Sequence, residues 1–329
     1  MTTTVLVTGG CGFIGHHFCE HVLKNTDWNI VVLDSITYAG SLSRIVGIDL
    51  LDQERLRFVW HDLRSALNKT VARMIGHVDY IVHFAAETHV DRSLEDAVPF
   101  VMSNVLGTLN LLNYVKQAQP QAKTAVISTD EVFGPAASGD AFGEEDRFKP
   151  SNPYAASKAG AEMLAYSYAY SFKLPIFVVR MVNCFGERQN KEKFVPKTIK
   201  RLISNEKVVI HGYSRKDCAS RCWIHARDAS DGILFLLSKA VPTESYHIAG
   251  EEWTVYDIAD VIHQEVTGLP LTDEEVEFIP YETARVGCDK RYVLSGVKLV
   301  SLGWFPTVGV EESLRKVVRW TLKHKNWLY

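Results

Sequence analysis

Residues 8–15 of the chain read Thr8-Gly9-Gly10-Cys11-Gly12-Phe13-Ile14-Gly15, and this stretch decides the fold. It contains the spacing GxGxxG at Gly10, Gly12 and Gly15, and the overlapping spacing GxxGxxG that starts at Gly9. An apolar run precedes it and an amphipathic segment follows it, so the glycines predict a turn between a strand and a helix. Such a turn lets the backbone approach a pyrophosphate, which the N–H groups of the helix N-terminus then bind.

Short apolar runs alternate with amphipathic segments through the first half of the chain. The runs are rich in Val and Ile and do not alternate with polar residues, which is typical of parallel strands buried on both faces. The alternation predicts an α/β fold with a doubly wound parallel sheet, the Rossmann arrangement. We expect strands at Thr4–Thr8, Asn29–Leu33, Tyr80–Phe84, Thr124–Ser128 and Ile176–Val182, and helices at Ile14–Lys24, Val98–Gln117 and Pro153–Phe172.

The pattern changes beyond about Gly186, where segments become shorter and more mixed. We therefore predict an NAD-binding domain over residues 1–183 and a smaller, mostly C-terminal α/β domain over residues 184–329 that binds the substrate. One strand and helix within residues 221–240 are expected to return to the first domain.

An acidic residue, Asp34, ends the predicted second strand about 20 residues past the last glycine, as in dinucleotide-binding folds. A carboxylate there accepts hydrogen bonds from ribose hydroxyls and repels a 2′-phosphate. No Arg follows it directly, which favours NAD over NADP. Asp62-Leu63 and Phe84-Ala85-Ala86 follow later strands and suit the adenine and a close backbone approach, although each is also explained by an ordinary turn or by tight packing.

A YxxxK pair, Tyr154 and Lys158, lies in the predicted helix Pro153–Phe172. Residues four apart share one helix face, so the phenol and the ammonium group converge. A free Tyr has a pKa of about 10, and lowering it by about 3 units requires roughly 4 kcal/mol of charge stabilisation. The Lys and the positive nicotinamide ring of NAD would provide this, so that the phenolate removes a hydroxyl proton while hydride leaves the same carbon.

Three polar residues, Thr129-Asp130-Glu131, follow another buried strand. The carboxyl ends of parallel strands line the ligand crevice, so these side chains are expected beside the YxxxK pair. Thr129 is placed to hydrogen-bond the hydroxyl that Tyr154 deprotonates. Two adjacent carboxylates suit a reaction in which one acts as acid and the other as base.

Together these motifs resemble those of the extended short-chain dehydrogenase/reductases, and most closely those of the dTDP-glucose 4,6-dehydratases. The resemblance covers nearly the whole chain, and its most specific part is Ser128–Gly134, which is similar to the family's STDEVYG with Phe133 in place of Tyr. The other matching stretches are TGGxGFIG at residues 8–15, Asp34 with Thr37–Gly40, His83–Ser93, Asn104 with Gly107-Thr108, the Tyr154 and Lys158 pair, Asn183, Gly186 and Glu192–Pro196.

The resemblance implies a reaction sequence. Tyr154, helped by Thr129 and Lys158, takes the proton of the glucose 4-hydroxyl as C4 passes hydride to NAD. Glu131 then removes the C5 proton, Asp130 protonates the departing C6 hydroxyl, and the hydride returns to C6 to give a 4-keto-6-deoxy sugar. Because coupled carboxylates can exchange roles, the assignment of acid and base rests on the resemblance alone.

The resemblance also implies contacts with both ligands. Further NAD contacts are expected from Phe13, Ile14, Ser35, Thr37, Thr88 and Asn104. Substrate contacts are expected from Glu87, Thr88, Thr129, Asn183, Lys193, Phe194, Val195, Arg221 and Arg285, since a diphosphate needs cationic, preferably bidentate, donors.

The chain departs from the family pattern near the expected nucleotide site. Arg221-Cys222-Trp223 replaces Arg-Asp-Trp, Arg285–Asp289 replaces a commoner Arg-Pro-Gly-His-Asp, and Cys184 replaces a second Asn. These differences leave the reaction type untouched and leave dTDP, UDP and CDP open as the nucleotide.

Other functions are also consistent with a dinucleotide fold. A nucleotide-sugar 4-epimerase is disfavoured by Asp130 and Glu131, where epimerases usually carry small or hydroxyl residues. A UDP-glucuronate decarboxylase would need a cation near C6, and none is identifiable. A catalytically silent NAD-binding protein is disfavoured because the whole Thr129–Glu131, Tyr154 and Lys158 set is present.

Bulk properties restrict the partners further. The net charge of -3 without a basic run disfavours nucleic acid binding, and no apolar run reaches membrane-spanning length. The six cysteines form no zinc-ligand spacing, so we expect no metal and reduced thiols in a cytoplasmic protein. No signal peptide pattern is visible.

Two predicted helices, Val98–Gln117 and Pro153–Phe172, carry apolar residues on more than one face. The resemblance implies that they pair across a two-fold axis in a four-helix bundle, so a homodimer is expected. The alternative is that both helices are covered within one chain.

Overall fold

The computed structural model describes residues 2–49, 54–284 and 289–329, and a seven-stranded parallel sheet forms the centre of this part of the chain. The strands are β1 (Thr4–Thr8), β2 (Asn29–Asp34), β3 (Leu56–Trp60), β4 (Tyr80–His83), β5 (Lys123–Thr129), β6 (Ile176–Met181) and, after four strands outside this sheet, β11 (Ser245–Ile248). Their order is β11-β6-β5-β4-β1-β2-β3. The predicted doubly wound parallel sheet is confirmed.

Both faces of this sheet are buried, which explains the continuous apolar runs. Successive residues of β1 enter opposite cores: Val5 and Val7 pack into one, and Leu6 into the other. The strand order reverses between β1 and β4, and in such folds the crevice at this point binds ligands. Thr8 pairs with both Leu33 and His83, so the carboxyl ends of β1, β2 and β4 meet there.

Helices cover both faces of the sheet and build most of the C-terminal half. They are α1 (Phe13–Asn25), α2 (Leu42–Asp49), α3 (Lys69–Ile75), α4 (Val90–Glu95), α5 (Val98–Phe100), α6 (Gly107–Ala118), α7 (Pro153–Phe172), α8 (Phe194–Ile203), α9 (Ala226–Lys239), α10 (Val255–Thr267), α11 (Tyr281–Ala284), α12 (Val297–Ser301) and α13 (Val310–Lys323). Short 3₁₀ turns lie at Asp130–Phe133, Asp273–Glu275 and Lys325–Leu328.

The predicted helix Val98–Gln117 is interrupted. A π-helical segment, Val101–Leu106, separates α5 from α6. Such segments place an extra residue in the turn and are frequent at functional sites. Here the segment carries Asn104, whose side chain is buried against the wall of the ligand crevice.

The remaining strands form two smaller sheets. β10 (Ser220–His225) pairs with β7 (Asn183–Phe185), β12 (Glu251–Thr254) and β14 (Arg291–Tyr292). The other small sheet has the order β13-β8-β9, from β8 (Val208–Ser214), β9 (Asp217–Cys218) and β13 (Val276–Ile279).

The expectation that a strand and helix of residues 221–240 return to the first sheet is wrong for the strand. The helix α9 does pack on α1, with Ile233 and Leu236 in the same core as Phe18 and Val22. The strand β10 instead pairs with β7, and β11 takes the edge position beside β6. Strand pairing of this kind is a long-range property that hydrophobic pattern does not encode.

No helix in the described part of the chain is long and apolar enough to cross a membrane.

Candidate active site

A cavity of about 340 Å³ opens at the carboxyl ends of the central strands and extends toward the second half of the chain. It brings together nearly all of the predicted site residues. Asn104 and Arg221 do not line it, and Arg285 lies outside the described residues. Those that line it are Gly9, Gly12, Phe13, Ile14, Gly15, Asp34, Ser35, Thr37, Asp62, Leu63, Phe84, Ala85, Ala86, Glu87, Thr88, Thr129, Asp130, Glu131, Tyr154, Lys158, Asn183, Lys193, Phe194 and Val195.

The glycine-rich turn is packed too closely for side chains at two positions. Gly9 has φ +74° and a Cβ there would lie 2.6 Å from the Ala85 nitrogen. A Cβ on Gly15 would lie 2.3 Å from the Gly9 oxygen. The turn ends at Gly12, which begins α1 without a side-chain cap. The N–H groups of this helix end therefore face the cavity free to receive a pyrophosphate, so the turn fits a dinucleotide.

The Asp34 carboxylate closes the same turn from the second strand. Its oxygens accept the N–H of Cys11 at 2.9 Å and that of Ile36 at 2.7 Å. Burial raises the pKa of Asp34, and the two N–H donors act in the opposite direction. The carboxylate is thereby fixed at the position where a ribose would lie.

In the cavity wall, Asp62 is paired with Arg64. The Arg64 guanidinium contacts both carboxylate oxygens, with Nη2 to Oδ2 at 2.6 Å, and this hydrogen bonding lowers the pKa of Asp62. Leu63 is buried beside them and offers an apolar surface for a base.

The YxxxK pair projects from the first turns of α7. Lys158 is buried and donates Nζ–H to the Ile127 carbonyl at 2.7 Å, and burial lowers its pKa to about 8. Tyr154 is also buried, and burial together with the Glu131 charge raises its pKa. A phenolate at Tyr154 would therefore form only with positive charge beside the ring.

The two acidic residues have different surroundings although they are adjacent. Asp130 is buried; its Oδ1 accepts the Thr129 hydroxyl at 3.0 Å, and its Oδ2 has no partner. Burial and the Glu131 charge raise the pKa of Asp130 to about 7. Glu131 is partly exposed and accepts Nδ2–H of Asn152 at 2.9 Å. The buried carboxyl of Asp130 therefore holds its proton more tightly than a free Asp does, which suits a general acid.

Asn104 lies behind the cavity wall and acts on its backbone. Its Oδ1 accepts the N–H of Glu87 at 2.8 Å, and its Nδ2 donates to the Glu87 carbonyl at 3.0 Å and to Ser157 at 2.8 Å. Both polar groups of the Asn104 amide are therefore bonded within the protein, and the predicted contact of Asn104 with the cofactor stays a prediction.

Arg221 is also engaged within the protein. It donates to the carbonyls of Ser220, Asp289 and Lys290 at 2.6 to 2.9 Å, and its guanidinium lies 4.7 Å from the ring centre of Tyr292. The guanidinium thereby anchors the strand β14, and the predicted contact of Arg221 with the substrate stays a prediction. The charge still lowers the pKa of Asp130.

Comparison with known proteins identifies the family. A family model described as GDP-mannose 4,6 dehydratase matches residues 6–317. The chain belongs to the GDP-mannose 4,6 dehydratase family. Its relatives include the low-salt glycan biosynthesis protein Agl12 of Haloferax volcanii, which is 38% identical over 97% of this chain and 98% of that protein. The dTDP-D-glucose 4,6-dehydratase of Mus musculus is 34% identical over 98% of this chain and 90% of that protein.

A solved structure supports the same assignment to the GDP-mannose 4,6 dehydratase family. DesIV, a dTDP-glucose 4,6-dehydratase from Streptomyces venezuelae with NAD and TYD bound, has a TM-score of 0.89 and 35% identity. The alignment covers 99% of this chain and 98% of that chain. The resemblance that the sequence motifs indicated is confirmed.

This member of the GDP-mannose 4,6 dehydratase family also has cavity residues that sequence reasoning missed. Tyr38, His89 and Glu192 also line the cavity, and Glu192 is the common partner of His89 and Arg92. The Arg92 guanidinium lies 3.9 Å from the Tyr38 ring centre and 2.5 Å from a Glu192 oxygen. Tyr38 and Glu192 fall inside stretches that matched the family, but only the fold brings them to one point.

Proposed function

We propose that this protein is an NAD-dependent nucleotide-sugar 4,6-dehydratase that converts dTDP-glucose or UDP-glucose to the 4-keto-6-deoxy sugar. The observation that carries the proposal is the presence of Thr129, Asp130 and Glu131 in one cavity with Tyr154 and Lys158. Relatives named as dTDP-glucose 4,6-dehydratases over nearly the full chain support it.

The first step assigned to the chain is proton removal from the sugar 4-hydroxyl. Tyr154 accepts this proton, Thr129 orients the hydroxyl, and Lys158 stabilises the phenolate that Tyr154 must form. NAD, when bound, supplies a hydride acceptor for C4, a hydride donor for C6 and a positive ring near the phenol. It would be held by the Gly9–Gly15 turn and Asp34.

The second step is loss of water across C5 and C6. The 4-keto group acidifies the C5 proton, which the Glu131 carboxylate removes, and Asp130 delivers its proton to the departing C6 hydroxyl. A pKa of about 7 leaves Asp130 substantially protonated at neutral pH, which supports Asp130 as the acid. When hydride returns to C6, C5 takes up a proton, which the protonated Glu131 would donate. Tyr154 then passes the proton of the 4-hydroxyl to solvent and Asp130 regains one from solvent, so all three groups return to their starting states.

Two features bear on the nucleotide-sugar itself. Asn183, Lys193, Phe194 and Val195 line the second half of the cavity and would bind the nucleotide diphosphate. The relatives named for dTDP-glucose support dTDP-glucose as the first substrate to test, with UDP-glucose second and CDP-glucose third.

We further propose a homodimer that pairs the helical segment 98–118 and α7 of two copies. The exposed apolar side chains of these helices support it, because a monomer rarely exposes so many together. The exposed apolar side chains are those of Val98, Val101, Met102, Met163, Tyr166, Tyr170 and Phe172.

A cytoplasmic location is also proposed. It is supported by free thiols at Cys11, Cys19, Cys184, Cys218 and Cys222, which is the usual state in a reducing compartment.

The proposed activity is tested by incubating the purified protein with dTDP-glucose and UDP-glucose separately, without added reductant. We expect one of the two nucleotide sugars to lose the mass of one water, and mass spectrometry measures this loss. An unchanged mass with formation of the galactose isomer would establish 4-epimerisation instead. Bound NAD with no turnover of any nucleotide sugar would indicate a silent NAD-binding protein.

A further inference from the structure

The residue before the proline of α7 connects two parts of the site. Asn152 is buried and begins α7: its Oδ1 accepts the N–H of Ala155 at 2.8 Å. Its Nδ2 donates to the Glu131 carboxylate at 2.9 Å. Pro153 at the first helical position has no N–H and a fixed φ, so it sets the direction from which the chain enters the helix.

The orientation of the Asn152 amide is determined by these partners. The Ala155 N–H can only donate, so the amide oxygen must face it, and the NH₂ group must then face Glu131. Asp at this position would begin the helix equally well but would have no hydrogen to donate.

We propose that Asn152 is a positioning residue for the elimination step, holding the Glu131 carboxylate at a fixed distance from the start of the Tyr154 helix. This inference rests on the proposed function and adds to it a residue that belongs to none of the catalytic motifs. Tyr154 and Glu131 act on neighbouring sugar carbons, so one side chain that bonds to Glu131 and caps the helix of Tyr154 sets their relative position.

The same turn also connects to the second half of the chain. Ser151 donates its hydroxyl to the Asp289 carboxylate, as does Tyr292. Burial, followed by the Glu131 charge, raises the pKa of Tyr292, so that ring lies near the same carboxylate. Residues 151–152 therefore join β14 to the acid pair, which restricts the freedom of Asn152 further.

The test is the isosteric variant Asn152→Asp. It keeps the acceptor for the Ala155 N–H and replaces the donor to Glu131 with a second carboxylate. We expect kcat to fall by about 10²-fold, the lower range for loss of general base catalysis, with KM nearly unchanged. C4 oxidation continues while C5 proton removal slows, so reduced cofactor absorbance builds up after dTDP-glucose is added, and deuterium from D₂O enters C5 more slowly.

Asn68 provides a matched control. It caps α3 through Oδ1, which accepts the N–H groups of Thr70 and Val71 at 2.9 and 3.0 Å, and it does not line the cavity. Asn68→Ala and Asn152→Ala should both lower the midpoint temperature of thermal unfolding, but only Asn152→Ala should lower kcat. Wild-type kcat in Asn152→Asp, or an equal loss in Asn68→Ala, would overturn the inference.

A crystal structure of Asn152→Asp separates this inference from the proposed function. The Glu131 side chain should leave its present position while the α7 backbone stays in place. An unmoved Glu131 would overturn the positioning role, even if the wild-type protein dehydrated no sugar. A displaced Glu131 in a protein without dehydratase activity would sustain the positioning role and reject the proposed function.

Discussion

Asp130 and Glu131 are adjacent in sequence, yet the first is buried with one carboxyl oxygen unpartnered and the second accepts a hydrogen bond from Asn152. The difference arises because residues 130–133 form a 3₁₀ turn directly after β5. Both side chains line the cavity, but the turn buries Asp130 and leaves Glu131 partly exposed beside Asn152. Burial gives Asp130 the raised pKa that a general acid requires.

Replacing Asp130 should change both stability and activity. Burial raises its pKa from 3.8 to about 7, so the folded state holds this proton more tightly than the unfolded state. The free energy of unfolding should therefore decrease as pH rises through that interval. Asp130→Asn removes this dependence and should stabilise the protein at pH 8 by roughly 1–3 kcal/mol, while kcat falls by about 10²-fold or more. Denaturant unfolding at several pH values measures the free energy of unfolding. The same pH dependence in the wild-type protein and in Asp130→Asn would contradict the burial argument.

Lys158 predicts the alkaline limit of activity. Burial lowers its pKa to about 8, so its charge is lost as pH rises through that value. Because this charge stabilises the Tyr154 phenolate, kcat should decline above that pH. Lys158→Met should lower kcat by about 10²-fold at neutral pH and remove this limb of the profile. If Lys158→Met kept the wild-type decline of kcat at alkaline pH, the titration of another group would be its cause.

The cofactor turn can be tested through its glycines. A Cβ at Gly15 would overlap the Gly9 carbonyl at 2.3 Å, both of them backbone-bound atoms that cannot move independently. Gly15→Ala should abolish NAD binding and destabilise the protein by about 2–4 kcal/mol. Gly143→Ala is the control, since a Cβ there meets only an Asp146 oxygen at 3.8 Å. Equilibrium dialysis measures the NAD affinity of each variant. Equal NAD affinity in Gly15→Ala and Gly143→Ala would argue against the turn as the binding element.

The proposed dimer can be tested on α7. Tyr166 is 52% exposed on the face assigned to the partner. Tyr166→Glu should give a monomer by light scattering, because a charge without a partner is costly in an apolar interface. Val297→Glu on α12 is the control, since Val297 is 73% exposed outside that face. A monomeric wild-type protein, or dimers in both variants, would reject the proposed interface.

Local sequence signals predicted the parts of the fold that depend on neighbouring residues. The glycine turn, the parallel strands and the ends of α7 follow from hydrophobic pattern and Gly and Pro positions, and β1 and α7 have the predicted bounds. The π-helical segment could not be predicted from local signals, because Asn104 bonds to Glu87 and Ser157, which are distant in sequence. The pairing of β10 with β7 is a similar case.

The residues of the candidate site also differ in whether the sequence could predict them. Motif residues such as Tyr154 and Lys158 could be predicted because their chemistry requires a fixed local spacing. Asn152 could not, since an Asn before Pro is also the ordinary start of a helix. The role of Arg221 as a phosphate ligand stays a prediction, and its bonds to the carbonyls of residues 289–290 could not be predicted because these residues are distant in sequence.

The central claim is that one site oxidises C4, expels water and returns the same hydride to C6. We would incubate the protein with dTDP-glucose deuterated at C4 and locate the deuterium in the product by NMR. Deuterium in the C6 methyl group, with a keto group at C4, is the predicted result. Deuterium that remains at C4, or that is lost to solvent without a methyl group forming, would contradict 4,6-dehydration.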